Sequence, residues 1–328
     1  VARHEGGAAF MAEADGKMSG RPGIAFVTRG PGATNASCGV HVAQQDSTPF
    51  VLFVGQVASD MLGRDAFQEV DYQAFLGGMA KKVYQLTNQD KISDLVDDAF
   101  RVALTGRPGP VVVALPEDLQ SLEEETPLET ADLRENNPQS TLDTEAFIAL
   151  LKQSKAPLIL VGGSGWNTPS VAKLERFAEQ WKVPVSAVFR RQQLFDNDHP
   201  CYVGDCGIGI NPKLRERIEK SDLIIVLGSR FSEIPSQGYT VLETSMLNQK
   251  LIHVHVSDTD RFPHADLKIN CHPTELLKAI EDVVPSGGGF RQEGLKVARR
   301  DYEAWTSQPA AITGTLQMGQ VITHIREN

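Results

Sequence analysis

Short unbroken apolar runs alternate with helix-like stretches through the first third of the chain. Residues 23–28, 50–55 and 111–115 are apolar runs of strand length, the last closed by Pro116. Residues 33–45, 68–79 and 92–104 read as helices between and around them. Continuous apolar strands, as opposed to alternating ones, belong to a parallel sheet covered on both faces. The pattern returns after residue 140. Residues 144–152 read as a helix and 158–161 as a strand that ends in Gly162-Gly163-Ser164-Gly165. A helix over 170–181 carries Val171, Leu174, Phe177, Ala178 and Trp181 on one face. Strands at 183–188, 223–227 and 251–256 follow, then a helix over 273–284. Strands that end in glycine and lead into helices form a Rossmann-like pattern. The predicted fold class is α/β, with two consecutive parallel-sheet domains.

The segments between these regions set the expected boundaries. Residues 1–118 form the first domain, and 119–141 an acidic linker with Glu123-Glu124-Glu125, Pro127 and Pro138. Residues 142–285 form the second domain. The glycine-rich stretch 285–290 opens a second connection, expected over 286–328. The chain begins at Val1 without methionine and stops at Asn328 in a helix-like run, 318–326. Both ends read as cut, so the expectation is a part of a longer polypeptide, with a third domain beyond it.

Composition narrows the function classes. The 328 residues are 41% hydrophobic and 23% charged, as in soluble globular proteins. A net charge of −10 argues against nucleic acid and anionic membranes as partners. No apolar run approaches the ~20 residues that span a bilayer, and no signal peptide is visible. The expected location is the cytoplasm. The four cysteines, Cys38, Cys201, Cys206 and Cys271, are expected as free thiols. His253 and His255 share one face of a predicted strand, with no further metal ligand evident.

Four short constellations could carry chemistry. Glu5 heads an Ala/Gly-rich helix and is followed by Gly6 and Gly7, which suits close approach by a flat ring. Its alternative role is a carboxylate that offsets a helix dipole. Gly30-Pro31-Gly32-Ala33-Thr34-Asn35 turns from the strand at 23–28 into a helix. Such a turn permits close ligand approach but lacks the dinucleotide fingerprint, which speaks against a dehydrogenase. Asp65-Ala66-Phe67-Gln68-Glu69 and Gly106-Arg107-Pro108-Gly109-Pro110-Val111 follow downstream.

Taken together, these runs closely resemble the thiamine diphosphate enzymes of the acetolactate synthase type. The resemblance implies a pyrimidine-binding domain followed by a central domain. It implies that Glu5 activates thiamine diphosphate through the aminopyrimidine ring, with Gly30, Pro31, Gly32, Asn35 and Gln68 lining that ring. Phe67 and Lys81 would lie near the substrate, a 2-oxo acid. Core packing for Phe67 and plain solvation for Lys81 remain open. Arg107 would contact a bound FAD, or else form a surface ion pair. Gly162 and Gly163 would admit a nucleotide, FAD or ADP, or else serve as an ordinary turn. The family's magnesium ion and diphosphate would sit on the third domain. The active site would lie between chains of a homodimer or homotetramer.

The departures from the family leave the product and the central-domain ligand open. The usual Arg-Phe-Asp-Asp-Arg run stands here as Arg230-Phe231-Ser232-Glu233-Ile234, and Phe189-Arg190-Arg191-Gln192 replaces an apolar loop. A rival reading is a non-catalytic nucleotide-binding regulatory module, in which Glu5 would be dispensable.

Overall fold

The computed structural model describes residues 1–121, 141–242, 249–257, 262–285, 289, 291–307, 309 and 313–328. The chain divides into two units, Val1–Gln139 and Ser140–Asn328. The acidic linker expected over 119–141 lies outside the described residues except at its ends. There, Leu119–Ser121 forms a 3-10 turn and the Thr141 amide donates to Asn270 O at 3.1 Å. Most of the 285–290 stretch also lies outside the described residues.

The first unit runs α1 (Glu5–Ser19), β1 (Gly23–Val27), α2 (Pro31–Asp46), β2 (Phe50–Gln56), α3 (Tyr72–Leu76), β3 (Lys82–Gln85), α4 (Ile92–Leu104) and β4 (Pro110–Pro116). Its four strands are parallel, in the order β1-β2-β4-β3. Side chains alternate across the sheet. Phe50, Leu52 and Val54 of β2 join the core beneath α1 and α2, while Val51 and Phe53 join the core beneath α4. The first core is built largely from alanines, so its two helices lie close together. A Cβ on Gly39 of α2 would stand 2.4 Å from the Cβ of Ala9 on α1.

The helix expected over 68–79 is much shorter. Asp65 and Gln68 take left-handed backbone angles, with φ of 59° and 64°, which a helix cannot contain. Asp71 then caps α3 by accepting from the Ala74 amide at 2.9 Å.

The second unit runs α5 (Thr144–Gln153), β5 (Pro157–Val161), α6 (Thr168–Trp181), β6 (Val185–Val188), β7 (Tyr202–Cys206), α7 (Pro212–Lys220), β8 (Leu223–Leu227), β9 (Lys250–His255), β10 (Leu267–Asn270), α8 (Pro273–Ala279), α9 (Arg291–Thr306) and α10 (Met318–Glu327). All six strands are parallel, in the order β10-β9-β8-β5-β6-β7. Helix α6 opens with a capping box between Asn167 and Ser170. Helices α7 and α8 open with proline at their first turn, after Asn211 and His272 caps.

Helix α9 falls in the stretch read as a connection, yet it is an integral part of this unit. Leu295 and Ala298 are buried in its two cores. Arg291 is buried as well. Its guanidinium donates to Leu151 O and Ser154 O at the end of α5 and to Trp181 O at the end of α6. These carbonyls lie at helix carboxyl ends, where the intrahelical ladder runs out, and Leu151 O also accepts from the Ser154 amide at 3.3 Å.

All four cysteines are free thiols. Cys201 and Cys206 belong to cores on opposite faces of the sheet. Burial pushes their thiols up to about 11 and about 12. His253 and His255 do share a face, with ring centroids 5.7 Å apart, and His253 Nε2 pairs with Ser229 O at 3.0 Å.

Candidate active site

In open parallel sheets, ligands gather at the carboxyl ends of the strands. In the first unit, the loops after β1, β2 and β4 meet there around a cleft of about 400 Å³, lined in part by Phe26, Phe53, Gln56, Gln68 and Glu117. Gly30 is the turning point. Its φ of 50° and ψ of −98° suit glycine. A Cβ there would stand 2.8 Å from Gln68 O, so only glycine lets the loop containing Gln68 close onto this turn. Gly32 packs against Thr28, and Pro31 opens α2 at the surface.

Glu5 and Asn35 meet although 30 residues separate them. The close packing of α1 on α2 brings the Asn35 amide nitrogen to 3.0 Å from Glu5 Oε2. His4 caps α1 by accepting from the Gly6 amide at 3.0 Å. The Asn35 hydrogen bond, then the local backbone amide and the nearby His4, hold the Glu5 carboxyl below its ordinary value. Gly7, two residues on, lies on another face of α1 and is open: a Cβ there would meet nothing within 4 Å. A half-buried carboxylate fixed by the Asn35 amide can meet a ring nitrogen.

Phe67 is 79% exposed, so the core-packing alternative does not hold. It projects from the loop that brings Gln68 against Gly30. Sequence reasoning missed Tyr72, which is buried behind this loop. Its hydroxyl accepts from the Gly30 amide at 3.0 Å and donates to Gly55 O at 2.9 Å. The only signal was an aromatic residue directly after the Asp71 cap.

Lys81 and Arg107 stand at the opposite, amino-terminal end of this sheet's strands, just before β3 and β4. Lys81 Nζ donates to Val102 O at 2.5 Å and to Thr105 O at 2.6 Å, in the last turn of α4. Burial, with Arg107 nearby, lowers its pKa to about 8. Arg107 donates to Ser47 Oγ at 2.7 Å and to Gln44 O, at the end of α2. Both cations therefore satisfy helix carboxyl termini. Within the unit they are not brought to Glu5, Asn35 or Gln68.

In the second unit, Gly162 and Gly163 end β5. Gly163 has a φ of 81°, and its Cβ would stand 2.0 Å from Gly228 O. A Cβ on Gly228, which ends β8, would stand 2.5 Å from Gly162 O. The glycines let two adjacent strand ends pass in contact. The Trp166 indole nitrogen donates to Gly162 O at 2.9 Å.

Two consecutive parallel α/β units, with a carboxylate–amide pair beside the glycine turn of the first, define the class of this protein. Residues 1–75 match the thiamine pyrophosphate enzyme N-terminal TPP binding domain, and residues 144–280 match the central domain of the same enzymes. The chain belongs to the thiamine pyrophosphate enzyme family. It is 33% identical over 296 residues to the acetolactate synthase large subunit of Corynebacterium glutamicum, covering 89% of this chain and 44% of that protein. The acetolactate synthase isozyme 1 large subunit of Escherichia coli is 32% identical over 287 residues, covering 87% and 49%. The chloroplastic acetolactate synthase of Arabidopsis thaliana is 30% identical over 317 residues, covering 93% and 45%. The chain thus spans about half the length of these relatives or less. Of the two readings left open by the sequence, these similarities support the thiamine enzyme.

Proposed function

We propose that the intact protein decarboxylates a 2-oxo acid and joins the remaining fragment to an acceptor, as an acetolactate synthase-like enzyme dependent on thiamine diphosphate. Thiamine diphosphate, when bound, supplies the electron sink that makes this chemistry accessible. The chain's own residues bind and orient it. Glu5 holds a hydrogen bond or proton at the aminopyrimidine nitrogen, and Asn35 keeps the carboxylate in place for that contact. Gly30 and Pro31 form the floor of the ring site and Gln68 its wall, with Gly32 allowing α2 to start close to β1. Phe67 is offered to the 2-oxo acid.

The observation that carries the reading is the Glu5–Asn35 hydrogen bond at the head of α1. The diphosphate and its Mg²⁺ fall to the portion that the relatives possess beyond this match. Among the described residues, no group of three or more His, Cys, Asp or Glu could hold a metal. Gly162 and Gly163, at a carboxyl-terminal strand edge, remain the proposed approach for FAD or ADP in the central domain. No described helix is long and apolar enough to cross a membrane, and the reading places the enzyme in the cytoplasm.

The test is turnover of a panel of 2-oxo acids with and without thiamine diphosphate and Mg²⁺. At least one acid should be consumed, only with the cofactor present. Glu5→Gln should lower kcat on the order of 10²- to 10⁴-fold with an unchanged melting temperature. Full activity in that variant would remove Glu5 from the chemistry.

A further inference from the structure

The loop that carries Phe67 and Gln68 is held in a strained shape by groups with no role assigned so far. Gly63, Asp65 and Gln68 all take positive φ, at 73°, 59° and 64°. For the two non-glycine residues this conformation is unfavourable and persists only where the surroundings impose it. The surroundings here are chiefly one carboxylate. Glu69 Oε1 accepts from the Gly63 amide at 2.5 Å, and Oε2 accepts from the Ala66 amide at 3.1 Å. The Glu69 amide in turn donates to Ala66 O at 3.0 Å. Ala66 and Glu69 thus bond reciprocally, and Phe67 and Gln68 are the two residues enclosed between them.

The stem behind the loop is fastened separately. The buried Gln56 side chain donates to Val70 O at 2.9 Å, and the Tyr72 hydroxyl ties the Gly30 turn to Gly55. An aromatic side chain 79% exposed is thereby presented from a loop fixed in advance. A contact residue ordered before its ligand arrives loses less entropy on binding.

We propose that Glu69 is a positioning residue, whose carboxylate sets the loop conformation that presents Phe67 to the substrate and Gln68 to the cofactor ring. The inference rests on the functional reading above. Glu69→Gln keeps the size of the side chain but replaces one acceptor oxygen with a donor that faces an amide N–H. The bonds from Gly63 and Ala66 can then no longer both form.

Limited chymotrypsin digestion of the protein reads the loop without any cofactor, because cleavage after Phe67 requires it to open. Glu69→Gln should be cut there at least tenfold faster, with other sites unchanged. Equal cleavage overturns the proposal. In the intact enzyme the same variant should raise KM for the 2-oxo acid about tenfold, with a smaller change in kcat. Faster cleavage with an unchanged KM would reduce Glu69 to a purely structural part and also overturn the proposal. Phe67→Ala separates the two levels. If Phe67→Ala leaves KM unchanged, the site reading itself fails. If it raises KM and Glu69→Gln does not, only the role of Glu69 fails.

Discussion

Glu5 and Asp222 show how one carboxylate can serve two different ends. Glu5 accepts from one side chain, Asn35, and is only half-buried, the arrangement of a group kept for a ligand. Asp222 is used up by its own fold. It accepts from the Ser154 hydroxyl, from the Lys155 amide at 2.6 Å and from the Ala156 amide at 2.9 Å, which ties the start of β8 to the turn before β5. Burial raises its pKa, but these hydrogen bonds more than offset that, and the net result lies below the ordinary 3.8. The unfolded chain therefore binds this proton more readily than the folded one. The stabilisation is present above about pH 4 and is lost as pH falls through the folded value. Asp222→Asn should cost about 1–3 kcal/mol at pH 7. It should also flatten the acid limb of a urea-midpoint against pH curve, and an equally steep limb would mean that Asp222 does not contribute. Neither role was legible from residue type. Glu5 drew attention through its glycine neighbours, whereas Asp222 lies in a polar turn with no pattern around it.

Two helix contacts carry most of the weight at the scale of elements. The first is the approach of α1 to α2 through Ala9 and Gly39. Gly39→Ala puts a methyl group where the Ala9 methyl group stands, at an expected cost of about 1–3 kcal/mol. Ala9→Gly in the same chain should recover only part of that loss, because the new methyl group would still stand 2.9 Å from the Ala9 carbonyl carbon. Urea unfolding of the two single variants and the double variant measures this coupling, and strict additivity would contradict the contact. The Glu5–Asn35 bond depends on the same packing, so activity should fall with stability in Gly39→Ala and return in part in the pair. The second contact is Arg291, whose guanidinium gathers the ends of α5 and α6. Arg291→Met removes the guanidinium donors to Ser154 O and Trp181 O and should cost about 1–3 kcal/mol. Arg291→Lys should not restore it, since an ammonium lacks the planar fork that reaches three carbonyls. The strands missed in the sequence share a position. β3, β7 and β10 each lie at a sheet edge. Lys82 and Gln85 of β3 are exposed, and Gly204 interrupts β7 at a φ of 107°. Polar or interrupted positions, and not the edge place itself, keep these three from reading as unbroken apolar runs; β1 is also an edge strand, yet its run is unbroken.

On the scale of the whole molecule, the surface near Glu5 bears on assembly. Phe10, Met11 and Met18 of α1 are 45%, 61% and 89% exposed, on the helix that Glu5 heads. Exposed apolar side chains clustered beside a candidate site are a common mark of an interface. The expected particle is at least a homodimer, with this face covered. Light scattering on the intact protein should give at least twice the monomer mass, and Met11→Lys should shift it towards the monomer. A monomeric wild type would remove the between-chain placement of the site.

The pattern along the chain determined the parts that depend on local sequence. The buried central strands, the helices between them and the glycine turn at 30–32 all follow from short-range periodicity and backbone freedom. The resemblance also pointed to Glu5, Asn35, Phe67 and Gln68. Tertiary structure alone decided which of these meet. It joined Asn35 to Glu5 and Gln68 to Gly30, placed Lys81 and Arg107 at helix ends by the amino-terminal end of the strands, and made α9 part of the second unit. The reason is physical. Periodicity reports how often a residue is buried, but the partner of a polar group is set by which helix faces and loops arrive beside it. That information becomes available only once the cores have packed.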